Sequence, residues 1–267
     1  MTMPLHDHII YGPVRSRRLG RSLGVNLLPA GMKVCNLNCA YCQYGLTRGV
    51  NRHRMATAGW PTPAAVEAAV EERLARAAAT NELIDRITVA GHGEPTLHPE
   101  FELVVERICA ARDRVAPAIP LAVLSNSTTV GWPDVGKALK MFDERHMKLD
   151  AGDPITCSLV NGAGPSIADM VDGLARLPHI TIQSMFVRDR AGQIDNTTDG
   201  AIGEWLQALE RIRPSCVHVY TIDRPPARSS LYAVTRRRLR EICGQVRAAG
   251  FPAAMFESRQ PDRRASR

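Results

Sequence analysis

Three cysteines carry the clearest chemical signal in this chain, in the run Cys35-Asn36-Leu37-Asn38-Cys39-Ala40-Tyr41-Cys42. Thiolates packed this densely point to a soft metal, because thiolate selects iron–sulfur clusters, zinc or copper(I). Structural zinc takes four protein ligands, usually as two separated pairs. The nearest fourth partner is His53, in an arginine-rich, loop-like stretch with Arg48, Arg52 and Arg54. A cubane [4Fe–4S] cluster ordinarily takes four cysteines. With three, one iron stays open to bind another group.

The elements that must position these cysteines follow from patterning. Residues 22–28 read as a first strand, broken by Pro29 and Gly31 at the entrance to the cysteine loop. Pro61-Thr62-Pro63 introduces a helix that runs to about Thr80. Apolar strands over 84–90, 120–124, 146–149, 180–187 and 216–222 then alternate with helices over 99–112, 134–142, 166–177, 199–212 and 231–249. Residues 252–256 add a last extended piece. Apolar strands separated by helices imply a parallel sheet with both faces covered. The expected fold is α/β, a partial (β/α)6 TIM-like barrel with parallel strands and the cysteine loop after its first strand. Residues 1–21 read as a basic N-terminal segment, 22–256 as the barrel domain, and 257–267 as a polar, disordered tail.

In β/α barrels the functional groups sit at the C-terminal ends of the strands. The second strand leads into Gly91-His92-Gly93-Glu94-Pro95-Thr96, with glycines that permit close backbone approach and a carboxylate expected on the open face. The third leads into Ser125-Asn126-Ser127-Thr128. The fourth ends at Lys148-Leu149-Asp150, whose alternation puts the lysine and the aspartate on one face, either as an internal ion pair or as ligand-binding groups. The fifth contributes Gln183 and Ser184, followed by Asn196 and Thr197, either of which suits a helix N-cap. The sixth ends in Tyr220-Thr221-Ile222-Asp223-Arg224-Pro225-Pro226, a plausible substrate grip.

The cysteine spacing, with Tyr41 before the last thiol, resembles the radical S-adenosylmethionine (SAM) enzymes. The resemblance implies a [4Fe–4S] cluster on Cys35, Cys39 and Cys42, with the amino and carboxylate groups of SAM on the open iron. It gives Tyr41 a role in seating the adenine. It assigns Gly91, Gly93, Glu94, Ser125, Asn126, Lys148, Asp150 and Gln183 to cofactor binding, although His92 interrupts the superfamily's glycine-glycine-glutamate motif. It also implies a separate electron donor, flavodoxin or ferredoxin. The segments Gly12–Gly24, Lys148–Ala151 and Tyr220–Pro226 are similar to one subgroup, the iron–sulfur oxidoreductases like the wybutosine-forming tRNA enzymes. Those enzymes hold a second cluster on cysteines upstream of the radical motif, whereas no cysteine precedes Cys35 here. Arg15, Arg17, Arg18, Tyr220, Asp223 and Arg224 are the substrate-binding candidates, because arginine forks suit carboxylate or phosphate. No catalytic acid or base is assigned.

The formal charge of +7 invites an RNA reading, but 30 of the 34 basic residues are arginine, which looks like the bias of a GC-rich genome. A tRNA-modifying enzyme and a zinc-knuckle RNA-binding protein are the alternatives to a small-molecule radical enzyme. A simple electron carrier has no use for an open iron inside a barrel. No apolar run is long enough to span a bilayer and no signal-like stretch opens the chain, so a cytoplasmic protein is expected. Reduced thiols suit that compartment. Cys109, Cys157, Cys216 and Cys243 read as buried small hydrophobes.

Overall fold

The computed structural model describes residues 2–47, 59–162 and 164–258. Its strands are β1 (Ile10–Ser16), β2 (Gly20–Val25), β3 (Arg86–Val89), β4 (Leu121–Ser125), β5 (Glu144–Lys148), β6 (Ile180–Asp189), β7 (Cys216–Thr221), β8 (Leu231–Ala233) and β9 (Ala253–Phe256). Its helices are α1 (Pro63–Ala79), α2 (Phe101–Val115), α3 (Pro133–Leu139), α4 (Pro154–Asn161), α5 (Ile167–Ala175), α6 (Asp199–Ile212) and α7 (Arg236–Ala248). The strands hydrogen-bond in the order β1-β2-β3-β4-β5-β6-β7-β9, with β8 on β6. From β2 to β9 the ladder is parallel, and each strand pairs with the one that follows it through a helical crossover. Such a sheet curls with its helices outside, giving the expected partial barrel of six β/α units.

The outward positions of the strands form the core. Leu23, Ile87, Val123, Met147, Ile182 and Val219 join Val70, Phe101, Ile108, Trp205 and Ile242 of the helices in one buried cluster. α6 shows why the helices lie down: Ile202, Trp205, Leu209 and Ile212 recur on one stripe, and Thr198 caps the first turn by accepting from the Ala201 N–H at 3.2 Å. The cap expected at Asn196 or Thr197 therefore falls at Thr198 instead.

Inward positions are polar instead. Ser22 donates to Thr88 at 2.7 Å, and Arg86 pairs with Glu144 at 2.6 Å. The Glu144 carboxyl is held down to about 2 from an ordinary 4.5, mainly by the hydrogen bond from His146; burial opposes this and Arg86 adds to it. A depressed carboxyl stabilises the fold above its unfolded pKa and loses that contribution as pH falls through its folded one. Urea unfolding of the cluster-free chain is therefore expected to lose stability between about pH 4.5 and 2. Part of that loss should vanish in Glu144→Gln.

Three elements differ from the sequence reading. Residues 10–16, taken as part of a polar segment, form β1, an antiparallel edge strand on β2 whose Tyr11 ring lies where a Cβ on Gly24 would sit. The stretch 154–161 forms α4, with Asp153 as its cap, accepting from the Thr156 N–H at 2.8 Å, and Pro154 in the first turn. The helix expected over 231–249 is divided into β8 and α7, because Leu231–Ala233 pairs with an extension of β6 to Asp189. The expected arginine-rich loop at 48–58, with His53, and the tail from 259 onward lie outside the described residues. Among the described residues no helix is long and apolar enough to cross a membrane.

Candidate active site

The cysteine loop leaves β2 and is tied down from three sides. Gly93 lets it close on the β3 exit: the Glu94 N–H donates to the Val34 carbonyl at 2.9 Å, and a Cβ on Gly93 would lie 1.9 Å from that oxygen. α4 holds it from above, where Asn38 N–H donates to the Asn161 carbonyl at 2.8 Å and Ala40 N–H to the Val160 carbonyl at 2.9 Å. The β4 exit holds it through Asn36, which donates to Thr128 Oγ1 at 2.6 Å and accepts from Asn126 Nδ2 at 2.8 Å. Gly93→Ala should thus displace backbone rather than a side chain. It is expected to cost about 2–3 kcal/mol and to lower the iron bound per chain after reconstitution. Urea unfolding and iron analysis check the two effects.

Each thiol receives a side-chain N–H donor from this scaffold, and Cys35 also has a backbone hydrogen bond from Leu37. Asn126 Nδ2 lies 3.7 Å from Cys35 Sγ, Asn161 Nδ2 3.3 Å from Cys39 Sγ, and Lys33 Nζ 3.2 Å from Cys42 Sγ. Burial pushes the Cys35 thiol up to about 12, with neighbouring Cys39 adding to it, and burial also raises Cys39. Their sulfurs are therefore poor thiolates until a cation replaces the proton.

Glu94 does not face the open side. It is 1% exposed, and its carboxylate accepts from Asn126 N–H at 2.7 Å, Ser125 Oγ at 2.9 Å and Thr96 Oγ1 at 2.6 Å. Burial raises its pKa, and these hydrogen bonds work against the rise. His92, the odd residue in the glycine motif, has a structural reason. Its Nδ1 accepts from His6 N–H at 3.1 Å while Nε2 meets the Met32 carbonyl at 2.9 Å, so the ring pins the N-terminal segment to the loop entrance.

Asp150 centres a second network. Its carboxylate accepts from Tyr41 OH, from Asn161 Nδ2 at 2.7 Å and from Met185 N–H at 2.7 Å, and pairs with Lys148 at 3.5 Å. The internal Lys–Asp pair is present, and the Lys148 ammonium also reaches Tyr220 OH at 3.0 Å and lies 4.7 Å from the Tyr41 ring centroid. Burial alone would lower the lysine's pKa, but Asp150, Tyr220 and Cys39 outweigh it and raise it. Gln183 stands beside Lys148 in the ladder. Asn196 braces the group by donating to the Asp150 carbonyl at 2.8 Å. A small pocket opens between Leu37, Asn126, Lys148, Asp150, Asn161 and Met170.

Of the substrate candidates, the structure brings four together. Arg17 from the β1–β2 turn pairs with Asp223 at 3.4 Å and donates to the Glu257 carbonyl, and Arg18 lies 4.1 Å over the Tyr220 ring. Arg15 is exposed, paired in register with Arg21, and Arg224 turns to Gln43 Oε1 at 3.0 Å and to the Met3 sulfur. Of the four outlying cysteines only Cys243 is buried; Cys157 lines the pocket at Asp150.

A family model described as "Radical SAM superfamily" matches residues 31–209, from the cysteine loop to α6. The chain belongs to the radical SAM superfamily. A UPF0026 protein of Methanocaldococcus jannaschii is 37% identical over 226 residues, covering 82% of this chain and 65% of that protein, so the chain spans just under two thirds of this relative. A radical SAM methyltransferase from Sphaerobacter thermophilus shares the fold with a TM-score of 0.64 at 18% identity, over 90% of this chain and 67% of that one. TYW1 with a lysine-pyruvate adduct bound has a TM-score of 0.59 at 14% identity, over 85% of this chain and 73% of that one.

The superfamily's enzymes use a [4Fe–4S] cluster and SAM. The donor set here fits that cluster. Three half-buried thiols sit on one anchored loop, and each already has an N–H donor of the kind that tunes cluster sulfurs. Among the described residues no three His, Cys, Asp or Glu side chains are drawn together around a single ion. Sequence reasoning passed over Lys33, Asn36 and Asn161, the residues that reach the loop or its thiols. Asn161 had a signal, the Asp153-Pro154 helix start that sets α4; Lys33 and Asn36 had none beyond closeness to Cys35.

Proposed function

We propose that this chain is a radical SAM oxidoreductase in which Cys35, Cys39 and Cys42 hold a [4Fe–4S] cluster above the strand ends. The observation that carries the reading is the side-chain N–H donor aimed at each of the three sulfurs. When bound, the cluster and SAM supply a 5′-deoxyadenosyl radical that takes a hydrogen atom from a substrate carbon.

The chain's own residues do the positioning. Asn126, Asn161 and Lys33 offset the negative charge that thiolates bring into a buried loop. Gly91, Gly93, Glu94, Ser125 and Asn126 form the rigid wall for the methionyl end of SAM, since each hydrogen-bonding group there is already oriented by its neighbours. Tyr41, Lys148 and Asp150 form the opposite wall, toward the nucleoside, with Gln183 beside Lys148 at its base. Leu37 and Met170 close the pocket and exclude water. The substrate is anionic and lies against Arg17, Arg18, Tyr220 and Asp223, and flavodoxin or ferredoxin supplies the electron in the cytoplasm.

The test is the electron paramagnetic resonance spectrum of the reconstituted, dithionite-reduced protein with and without SAM. SAM is expected to change the signal in the wild type and to change it less, or not at all, in Asn126→Leu. A protein that takes up zinc and no cluster, or a signal indifferent to SAM, would sink the reading.

A further inference from the structure

Four buried polar atoms without a hydrogen-bond partner belong to Arg18 (Nη1), His146 (Nδ1), Gln183 (Nε2) and His218 (Nδ1). Strand register places the last three on one face. Met147, Ile182, Val217 and Val219 pack outward into the helix-covered core. Side chains alternate along a strand, so His146, Lys148, Gln183, His218 and Tyr220 face the inside of the curl. Lys148 lies opposite Gln183, and Gln183 opposite His218, as a row across β5, β6 and β7. The rings of His146 and His218 stack with centroids 5.8 Å apart. Arg18 joins them from the β1–β2 turn through its place over Tyr220.

An unmade hydrogen bond at a buried group costs about 1–3 kcal/mol, so four in one lumen call for a partner. The chemistry of that partner can be read from the free atoms. Arg18 and Gln183 present donors. His146 Nε2 meets the Glu144 carboxylate at 3.2 Å, and a carboxylate only accepts. Nε2 therefore carries a hydrogen, and Nδ1 is the ring atom left to meet a partner. Burial, with His146 and then Arg18 adding to it, lowers His218 to about 4, so this ring is neutral near pH 7. Among the described residues on this face the charge left on offer is that of Arg18, since Arg86 is matched by Glu144 and Lys148 by Asp150.

We propose that the inner face of the sheet between Arg18, His146, Gln183 and His218 is the binding subsite for a small organic anion. Its carboxylate or phosphate oxygens meet Arg18 and Gln183, and an adjacent hydroxyl, able to donate or accept, meets His146 Nδ1. This rests on the proposed function, in that the anion is the substrate of the radical site above it, on the far side of Lys148 and Tyr220.

The test is isothermal titration of the full chain, cluster-free and reconstituted, with L-malate, succinate and glycerol 3-phosphate as probes. Malate or glycerol 3-phosphate is expected to bind, and malate to bind more tightly than succinate, which lacks the hydroxyl. Arg18→Gln and the near-isosteric Gln183→Glu are each expected to weaken binding about 10-fold or more, the worth of one charge-assisted hydrogen bond. Arg240→Gln, on the exposed face of α7, should leave it unchanged, and melting curves identify any variant that has lost its fold. No binding by any probe, or binding that survives both substitutions in folded protein, overturns the proposal. Binding without 5′-deoxyadenosine formation would sink the radical reading instead, and 5′-deoxyadenosine formation without binding would sink this one alone.

Discussion

Cys39→Ala, reconstituted anaerobically with iron and sulfide, is expected to fall from about four irons per chain to near none. Its visible charge-transfer absorbance should go with them. The expectation follows from how the loop is anchored. The backbone on both sides of Cys39 is pinned to α4, through Asn38 to Asn161 and Ala40 to Val160, so neither Cys35 nor Cys42 can slide into its place. Asn161 Nδ2 would lose its sulfur partner but keep Asp150 and Tyr41, so the fold itself should survive. Iron analysis together with a urea melt separates the two effects. A variant that keeps its iron and absorbance contradicts the assignment of Cys39 as a ligand.

Lys148→Met is expected to have the largest effect on stability, because it strips the cation from a carboxylate that is wholly buried. The Asp150 side chain has 0% exposure and the Lys148 side chain 19%. Breaking a buried pair by removing one partner costs about 3–5 kcal/mol. Asp150 retains Tyr41, Asn161 and Met185 N–H as donors, which places the loss near about 3 kcal/mol, on the order of 10 °C in Tm. Burial pushes the Tyr220 phenol up, but Lys148 and Arg18 together outweigh it and leave it lowered. The variant should therefore also show a Tyr220 phenolate titration moved to higher pH. Thermal melts and ultraviolet titration check the two parts, and an unchanged melt would show that Lys148 contributes no compensation to Asp150.

What the sequence made legible, and what it did not, has a physical pattern. α6 is found with the boundaries expected of it, because Ile202, Trp205, Leu209 and Ile212 carry an unbroken helical period. The cysteine loop and the polar strand ends were legible because β/α topology puts strand exits on one rim whatever the side chains are. β1 was not, because an edge strand of half-buried, mixed polarity carries little period-two signal, and its partner residue Gly24 records the contact only as a missing side chain. α4 was not, because two turns of Ile-Thr-Cys-Ser-Leu-Val give a weak apolar stripe despite a sound N-cap. Glu94 looked exposed because a carboxylate after a strand usually faces water; three donors from the β3 and β4 exits let it be buried. The inward row Lys148–Gln183–His218 could be found only from register, since no single strand shows that its polar residues meet those of its neighbours.

The central claim is that three anchored thiols support reductive cleavage of SAM. The most direct measurement incubates the reconstituted protein anaerobically with SAM and dithionite and assays 5′-deoxyadenosine by mass spectrometry. The account predicts 5′-deoxyadenosine from the wild type and none above background from Cys39→Ala. A wild type that makes none, and that carries zinc as purified, would contradict it.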